Sequence, residues 1–189
     1  MKILDVLIYM GMLIWFLLEN YNLKNLRSGN EDQKIDDKIG LVRLWTVFII
    51  SLTGPVIAAN FISLPISDRM ELRYLGFFIF LSGIGLRLAA IRHLGRFFTI
   101  NISIRKDHQL ITGGVYKYIR HPSYSACIVI FIGVGLALNN WLSLFIAVVP
   151  AFLTLNKRIV SEEKALTEKF GDEYIQYRNN TKRWIPFIF

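Results

Sequence analysis

Cysteine is nearly absent: Cys127 is the only one in 189 residues. That excludes a disulfide framework within the chain and any cysteine-rich zinc site. Cys127 falls inside an apolar run and reads as a small buried hydrophobe. Charge is scarce too, with 19% charged residues against 53% hydrophobic ones and a mean hydropathy of +0.42. The apolar residues come in long runs, the pattern of a polytopic membrane protein rather than a soluble domain. Acidic residues are the scarcer sign, 14 against 22 basic, for a net charge of +8. Because the basic residues sit between apolar runs, the excess reads as a topology signal, and no nucleic-acid partner is expected. There is no internal repeat, no low-complexity segment and no soluble second domain. No small-residue cleavage site follows the apolar run after Lys2, so that run is expected to be a retained first span.

The runs predict an all-α membrane bundle of about five transmembrane helices, at residues 3–18, 41–64, 72–91, 122–138 and 141–155. Gly54-Pro55 marks a kink in the second. Asn139-Asn140 makes the last two a tight hairpin. Those two are short, about 17 residues or roughly 25 Å at 1.5 Å per residue. Lys24, Arg27, Lys34, Lys38 and Arg43 lie between the first two spans. Arg92, Arg96, Arg105, Lys106, Lys117 and Arg120 lie between the third and fourth, and seven more basic residues follow the fifth. An outside N-terminus puts all three groups on one side, with cytosolic loops and a cytosolic C-terminus. Arg87, about one turn inside the third span, is expected to snorkel to the interface. Residues 1–91 thus form three transmembrane helices. Residues 92–189 hold nearly all the polarity fit for chemistry.

The three histidines, His93, His108 and His121, all fall in the loop before the fourth span. Their spacing matches no familiar ligand pattern, and no metal site is expected. Proline suits the first turn of a helix, so the fourth span should begin at Pro122. A helix start presents free N–H groups and partial positive charge. With Arg120 and His121 it offers a seat for a carboxylate or phosphate; the same two residues would also serve as interfacial anchors. Gly113-Gly114 permits a tight turn that would fold His108 back toward His121. Arg158 and Glu162 share a helix face just past the fifth span. The hairpin brings that face near His121, so a pocket at one membrane surface follows from topology. Gly83-Ile84-Gly85 and Gly133-Val134-Gly135 lack a preceding strand and read as helix-packing positions rather than nucleotide fingerprints. The Ser161–Lys164 match to Ser-x-x-Lys lacks its partner motifs.

One ordered set of motifs is more specific. His108-Gln109-Leu110-Ile111, Gly114-Val115-Tyr116, Arg120-His121-Pro122-Ser123-Tyr124, Glu162-Glu163, Phe170-Gly171-Asp172-Glu173-Tyr174 and Arg183-Trp184-Ile185-Pro186 occur in this order. The set spans residues 101–186 and resembles the isoprenylcysteine carboxyl methyltransferase family of integral membrane enzymes. The resemblance implies S-adenosyl-L-methionine (S-adenosylmethionine) as cofactor, held by Asn101, His108, Gln109, Leu110, Ile111, Tyr116, His121, Pro122, Ser123, Tyr124 and Glu162. It implies that Arg158 faces the substrate carboxylate, so Arg158 and Glu162 are the expected catalytic pair. The acceptor would be lipophilic or small, most simply a carboxylate of the isoprenylcysteine type, with membrane lipids as the surroundings. Phospholipid, thiol and hydroxyl acceptors occur among relatives, and a non-catalytic membrane binding protein is the alternative of another class. Short spans and a short N-terminal lead read as a prokaryotic version in a plasma membrane. The sequence does not disclose an oligomeric state.

Overall fold

A computed structural model describes residues 2–25, 33–34, 38–99, 103–104 and 107–186. Six α-helices carry the chain: α1 (Lys2–Asn25), α2 (Lys38–Phe61), α3 (Met70–Leu94), α4 (Pro122–Ala137), α5 (Trp141–Phe170) and α6 (Asp172–Asn180). A two-residue antiparallel ladder pairs β1 (Gln33–Lys34) with β2 (Ser103–Ile104) and joins two of the inter-helix connections. Among the described residues, four stretches are long and apolar enough to cross a membrane: Ile3–Asn22, Gly40–Phe61, Met70–Phe97 and Trp141–Phe170. Pro122–Ala137 is a shorter apolar helix.

The short helix is the centre of the bundle. None of its sixteen residues is exposed. It packs chiefly on α3, and glycines let the two backbones meet. A Cβ on Gly133 would stand 2.3 Å from the Phe80 backbone nitrogen, and one on Gly76 would stand 2.3 Å from that of Ala137. At Gly83 it would meet Ile130 at 2.7 Å. The glycine pairs thus serve helix packing, as small residues do in membrane bundles. Cys127, on the same helix, is fully buried.

The fifth span differs from its expected length. It does not stop near residue 155; α5 continues unbroken for 30 residues, about 45 Å at 1.5 Å per residue. The amphipathic second half stays helical because it has neighbours to bury Arg158, Ile159, Glu163 and Ala165. Its start is fixed by Asn140, whose side chain accepts from the Ser143 amide at 2.9 Å. Asn139 turns the hairpin with a φ of 52°. Helix α2 runs through Pro55, whose carbonyl accepts from the Ser143 hydroxyl at 2.6 Å.

Two ion pairs pin α1 to α3. Asp5 binds Arg73, and Glu19 binds Arg87 with N–O distances of 2.9 and 3.1 Å. The same fourteen residues separate the two acids on α1 and the two arginines on α3. The helices therefore run parallel and in register. The expectation that Arg87 snorkels is overturned: it is 7% exposed and faces inward. An acid at matching depth on α1 makes burial of the guanidinium cheaper than a reach to the interface.

Candidate active site

The site starts at the N-terminus of α4. His121 caps the helix with non-helical backbone angles, and Pro122 occupies the first turn. The amides of Tyr124 and Ser125 both donate to the His121 carbonyl at 3.0 Å, closing that turn. Just before it, Gly114 has a φ of 57° and opens a short 3-10 turn to Lys117. The His93 ring lies over Gly114, where a Cβ would come within 2.3 Å, and stacks on Tyr116 at 6.1 Å. His108 packs instead between Phe97 and Phe170. Among the described residues no group of three metal-binding side chains comes together.

Helix α5 presents Arg158 and Glu162 to this turn. The Tyr124 hydroxyl accepts from Arg158 Nε at 2.9 Å and donates to Glu162 Oε2 at 2.7 Å. One phenol thus ties the two helices and fixes both candidate catalytic side chains. The Tyr124 ring also stacks on His121, with centroids 5.7 Å apart. Glu163, the next residue, turns the other way and gathers three donors. His121 Nε2 lies 3.2 Å from its carboxylate, Arg120 Nε 3.1 Å and Arg183 Nη2 2.6 Å.

The tail closes the far side. Ile119 and Lys182 form a parallel bridge, with the Arg120 amide donating to the Lys182 carbonyl at 2.7 Å. The Arg120 guanidinium donates to the Arg178 and Thr181 carbonyls. Ser125 reaches the Trp184 carbonyl at 2.6 Å, and Tyr177 donates to the Tyr116 carbonyl at 2.8 Å. Burial, with the Glu163 and Glu162 charges added, pushes the Tyr174 phenol well above its ordinary range. Burial does the same to Tyr177.

Between these walls lies a partly open cleft with a free interior of about 90 Å³. His108, Gln109, Leu110, Ile111, Tyr116, His121, Tyr124, Arg158 and Glu162 all line it. The topology therefore brings together most of the residues singled out in the sequence. Pro122 and Ser123 stand outside the lining. Pro122 is spent on the helix start, and Ser123 turns inward to accept from Arg87. Asn101 lies outside the described residues. Arg120, read with His121 as part of the helix-start seat, lines it too, and the cleft also takes residues that sequence reasoning passed over: Leu94, Phe97, Phe98, Thr99, Ala165, Leu166, Tyr174 and Tyr177. Tyr174 belongs to the quoted motifs, which was the available signal.

A model of the isoprenylcysteine carboxyl methyltransferase (ICMT) family matches residues 74–168, half of the chain. The chain belongs to the ICMT family. The matched segment holds every cleft residue except Tyr174 and Tyr177. Among curated relatives, the protein-S-isoprenylcysteine O-methyltransferase of Saccharomyces cerevisiae is 39% identical over 116 residues, covering 60% of this chain and 48% of its own. Enzyme B of that name from Arabidopsis thaliana is 37% identical over 105 residues, covering 54% and 53%. The Schizosaccharomyces pombe protein is 35% identical over 105 residues, covering 54% and 44%. The chain spans about half the length of these curated relatives. The solved structure of a eukaryotic intramembrane Ras methyltransferase, ICMT, matches with a TM-score of 0.60 at 30% identity, over 79% of this chain and 52% of that one. Its ICMT-like helical fold and apolar spans make the chain an integral, multi-pass membrane protein.

Proposed function

We propose that the chain moves a methyl group from S-adenosylmethionine to the carboxylate of an isoprenylcysteine-type acceptor, with its N-terminus outside and the site facing the cytosol. The observation that carries this reading is the Arg158–Tyr124–Glu162 chain of hydrogen bonds, at the edge of a cleft lined by the family's motifs. The placement of the basic loops supports the orientation.

The cleft fits the cofactor's chemistry. Leu94, Phe97, Leu110 and Ile111 supply an apolar wall for its adenine. Glu162 offers negative charge to its cationic end. The Tyr174 hydroxyl is buried, lines the cleft and meets no hydrogen-bond partner among the described residues, so a donor stands ready for a ligand atom. When bound, S-adenosylmethionine supplies an electrophilic methyl group on a sulfonium.

The protein's own part is orientation. A carboxylate acceptor is already ionised and needs no general base. Arg158 offers it a planar fork of donors. Tyr124 holds the Arg158 Nε, which leaves the guanidinium aimed rather than free to rotate. An in-line transfer draws much of its rate from such positioning. The tail residues Tyr174 and Tyr177 cover the cleft and limit water.

The test is mass spectrometry of a short S-prenylated cysteine incubated with the purified protein and deuterated-methyl cofactor, beside calorimetry of cofactor binding. A methyl ester and saturable binding support the reading. A folded preparation that does neither rules it out.

A further inference from the structure

The end of the bundle away from the catalytic cleft holds a polar cavity that the chemistry above does not use. It is half-open, with a free interior of about 300 Å³. Asp5 from the first turn of α1, Arg73 from the first turn of α3 and Asn60 from the last turn of α2 all line it. The apolar spans begin or end at these turns, so the cavity lies at a membrane interface. Arg73 Nε donates to the carbonyl of Ala137 at 2.9 Å, and Ala137 ends the helix that starts beside His121.

The cavity is preformed. Asn139 Nδ2 donates to the Ser67 carbonyl at 2.7 Å, and its Oδ1 accepts from the Ser67 amide at 3.1 Å. Asn140 Nδ2 donates to the Ile62 carbonyl at 2.6 Å. These bonds tie the connection after α2 to the turn between α4 and α5, and a site fixed in advance costs less to occupy. Its charges are paired but not exhausted. Arg73 spends Nε on Ala137 and Nη2 on Asp5, and its Nη1 meets no partner among the described residues. Asp5 binds through Oδ1 and is 33% exposed, which leaves its second oxygen for an approaching donor. Because the pair is neutral as a unit, a lone anion or cation gains from one member and is repelled by the other. A ligand that carries both charges gains from both. Leu64 lines the cavity and Phe61, close by in sequence, is 83% exposed. That apolar surface suits acyl chains, and a soluble zwitterion would leave it uncovered.

We propose that this cavity seats the phosphoethanolamine headgroup of a membrane phospholipid. Arg73 Nη1 and the Ser63 hydroxyl take the phosphate, Asp5 takes the ammonium, and the acyl chains run along Leu64 and Phe61. A primary ammonium brings three donors to a carboxylate, whereas a trimethylated one brings none. A glycerol headgroup has no positive charge to offer. The site therefore prefers phosphatidylethanolamine to both phosphatidylcholine and phosphatidylglycerol. The inference rests on the multi-pass membrane fold and not on the methyltransferase reading.

The experiment uses the full chain, stripped of lipid in detergent, with the three lipids matched in acyl chain. Retention from an equimolar mixture is read by native mass spectrometry, and the melting temperature is read with each lipid alone. The wild type should retain phosphatidylethanolamine over either competitor by on the order of 3- to 10-fold, the scale of one charge-assisted hydrogen bond at a half-open site. It should also melt higher with that lipid than with the others, because a ligand stabilises the state that binds it. Asp5→Asn leaves the Arg73 charge uncompensated, so the preference moves to phosphatidylglycerol; a pair that only clamps helices would lower the melting temperature without moving it. Ala59→Leu adds bulk to the cavity wall and keeps the ion pair. It should melt like the wild type without lipid and lose the extra stabilisation by phosphatidylethanolamine. Equal retention of all three lipids by the wild type overturns the proposal, as does a preference that survives Ala59→Leu. Soluble phosphoethanolamine that stabilises the wild type as much as the lipid does overturns the lipid assignment. Should Asp5→Asn not fold, Ala59→Leu still decides. None of these readouts requires methyl transfer, so failure of the function assigned above leaves this test intact.

Discussion

The Tyr124 hydroxyl donates to Glu162 Oε2 at 2.7 Å while accepting from Arg158 Nε at 2.9 Å, so a single phenol couples the two charged side chains of α5 to the first turn of α4. Tyr124→Phe removes the coupling and keeps the ring that stacks on His121. The variant should fold normally and bind cofactor, with kcat/KM for the acceptor lower by about 10- to 100-fold. Steady-state methyl transfer with labelled cofactor checks it; a wild-type rate would remove Tyr124 from the machinery.

Arg158 should separate binding from turnover. Arg158→Ala is expected to spare cofactor affinity in calorimetry and abolish methyl transfer. Arg158→Lys restores the charge but not the fork, and its rescue should be partial at best. Equal loss of affinity and turnover would speak against an acceptor role.

Tyr174 carries a buried hydroxyl without a partner among the described residues. Tyr174→Phe should leave the free protein's melting temperature unchanged or slightly higher, since an unmet hydrogen-bonding group is removed. It should weaken the cofactor by about 1 kcal/mol, the ordinary net value of one hydrogen bond. The raised phenol also has a pH signature. In the unfolded chain a tyrosine releases its proton near pH 10, before the folded one does. The unfolded state then binds fewer protons, so stability is complete below about pH 10 and declines as pH rises above it. Thermal melts between neutral and strongly alkaline pH should show a shallower decline in Tyr174→Phe.

Helix packing gives a matched pair of outcomes. Gly133→Ala drives a methyl group into the Phe80 backbone, which cannot give way as a side chain would. A loss of about 1–3 kcal/mol, the usual range for overpacking, is expected in thermal or denaturant unfolding. Gly85→Ala, on α3, meets no atom within 4 Å and should be close to neutral. Comparable losses in both would mean that backbone flexibility, not close approach, is what the glycines provide.

The bundle was legible in the sequence because lipid-crossing segments declare themselves by length and apolarity. The site was legible because its motifs lie on two helices that a two-residue turn forces together. What escaped came from long-range pairing. Arg87 looked like an interfacial anchor because hydropathy reads one helix at a time. Its partner Glu19 lies 68 residues earlier. The signal was nonetheless present: Asp5 and Glu19 are the only acids of α1, and their spacing equals that of Arg73 and Arg87. The length of α5 escaped for a related reason. Past residue 155 its buried side packs on α6 and the tail as well as α4, and a hydropathy run does not register a helix continued by protein contacts. Glu163 was visible only as the neighbour of Glu162; that it collects His121, Arg120 and Arg183 depends on the returning tail.

Helix α4 spans only about 24 Å at 1.5 Å per residue, less than the roughly 30 Å of a typical hydrocarbon layer, yet it exposes no residue. The exposed apolar residues therefore lie on α1, α2, α3 and α5, while α4, which begins beside His121 and bears Tyr124, is held chiefly by protein neighbours. Changes in acyl-chain length are expected to tilt or stretch the outer helices and leave the α4 turn where α3 and α5 hold it. The α4 turn is thus buffered against hydrophobic mismatch, and the same geometry can be kept in bilayers of different thickness.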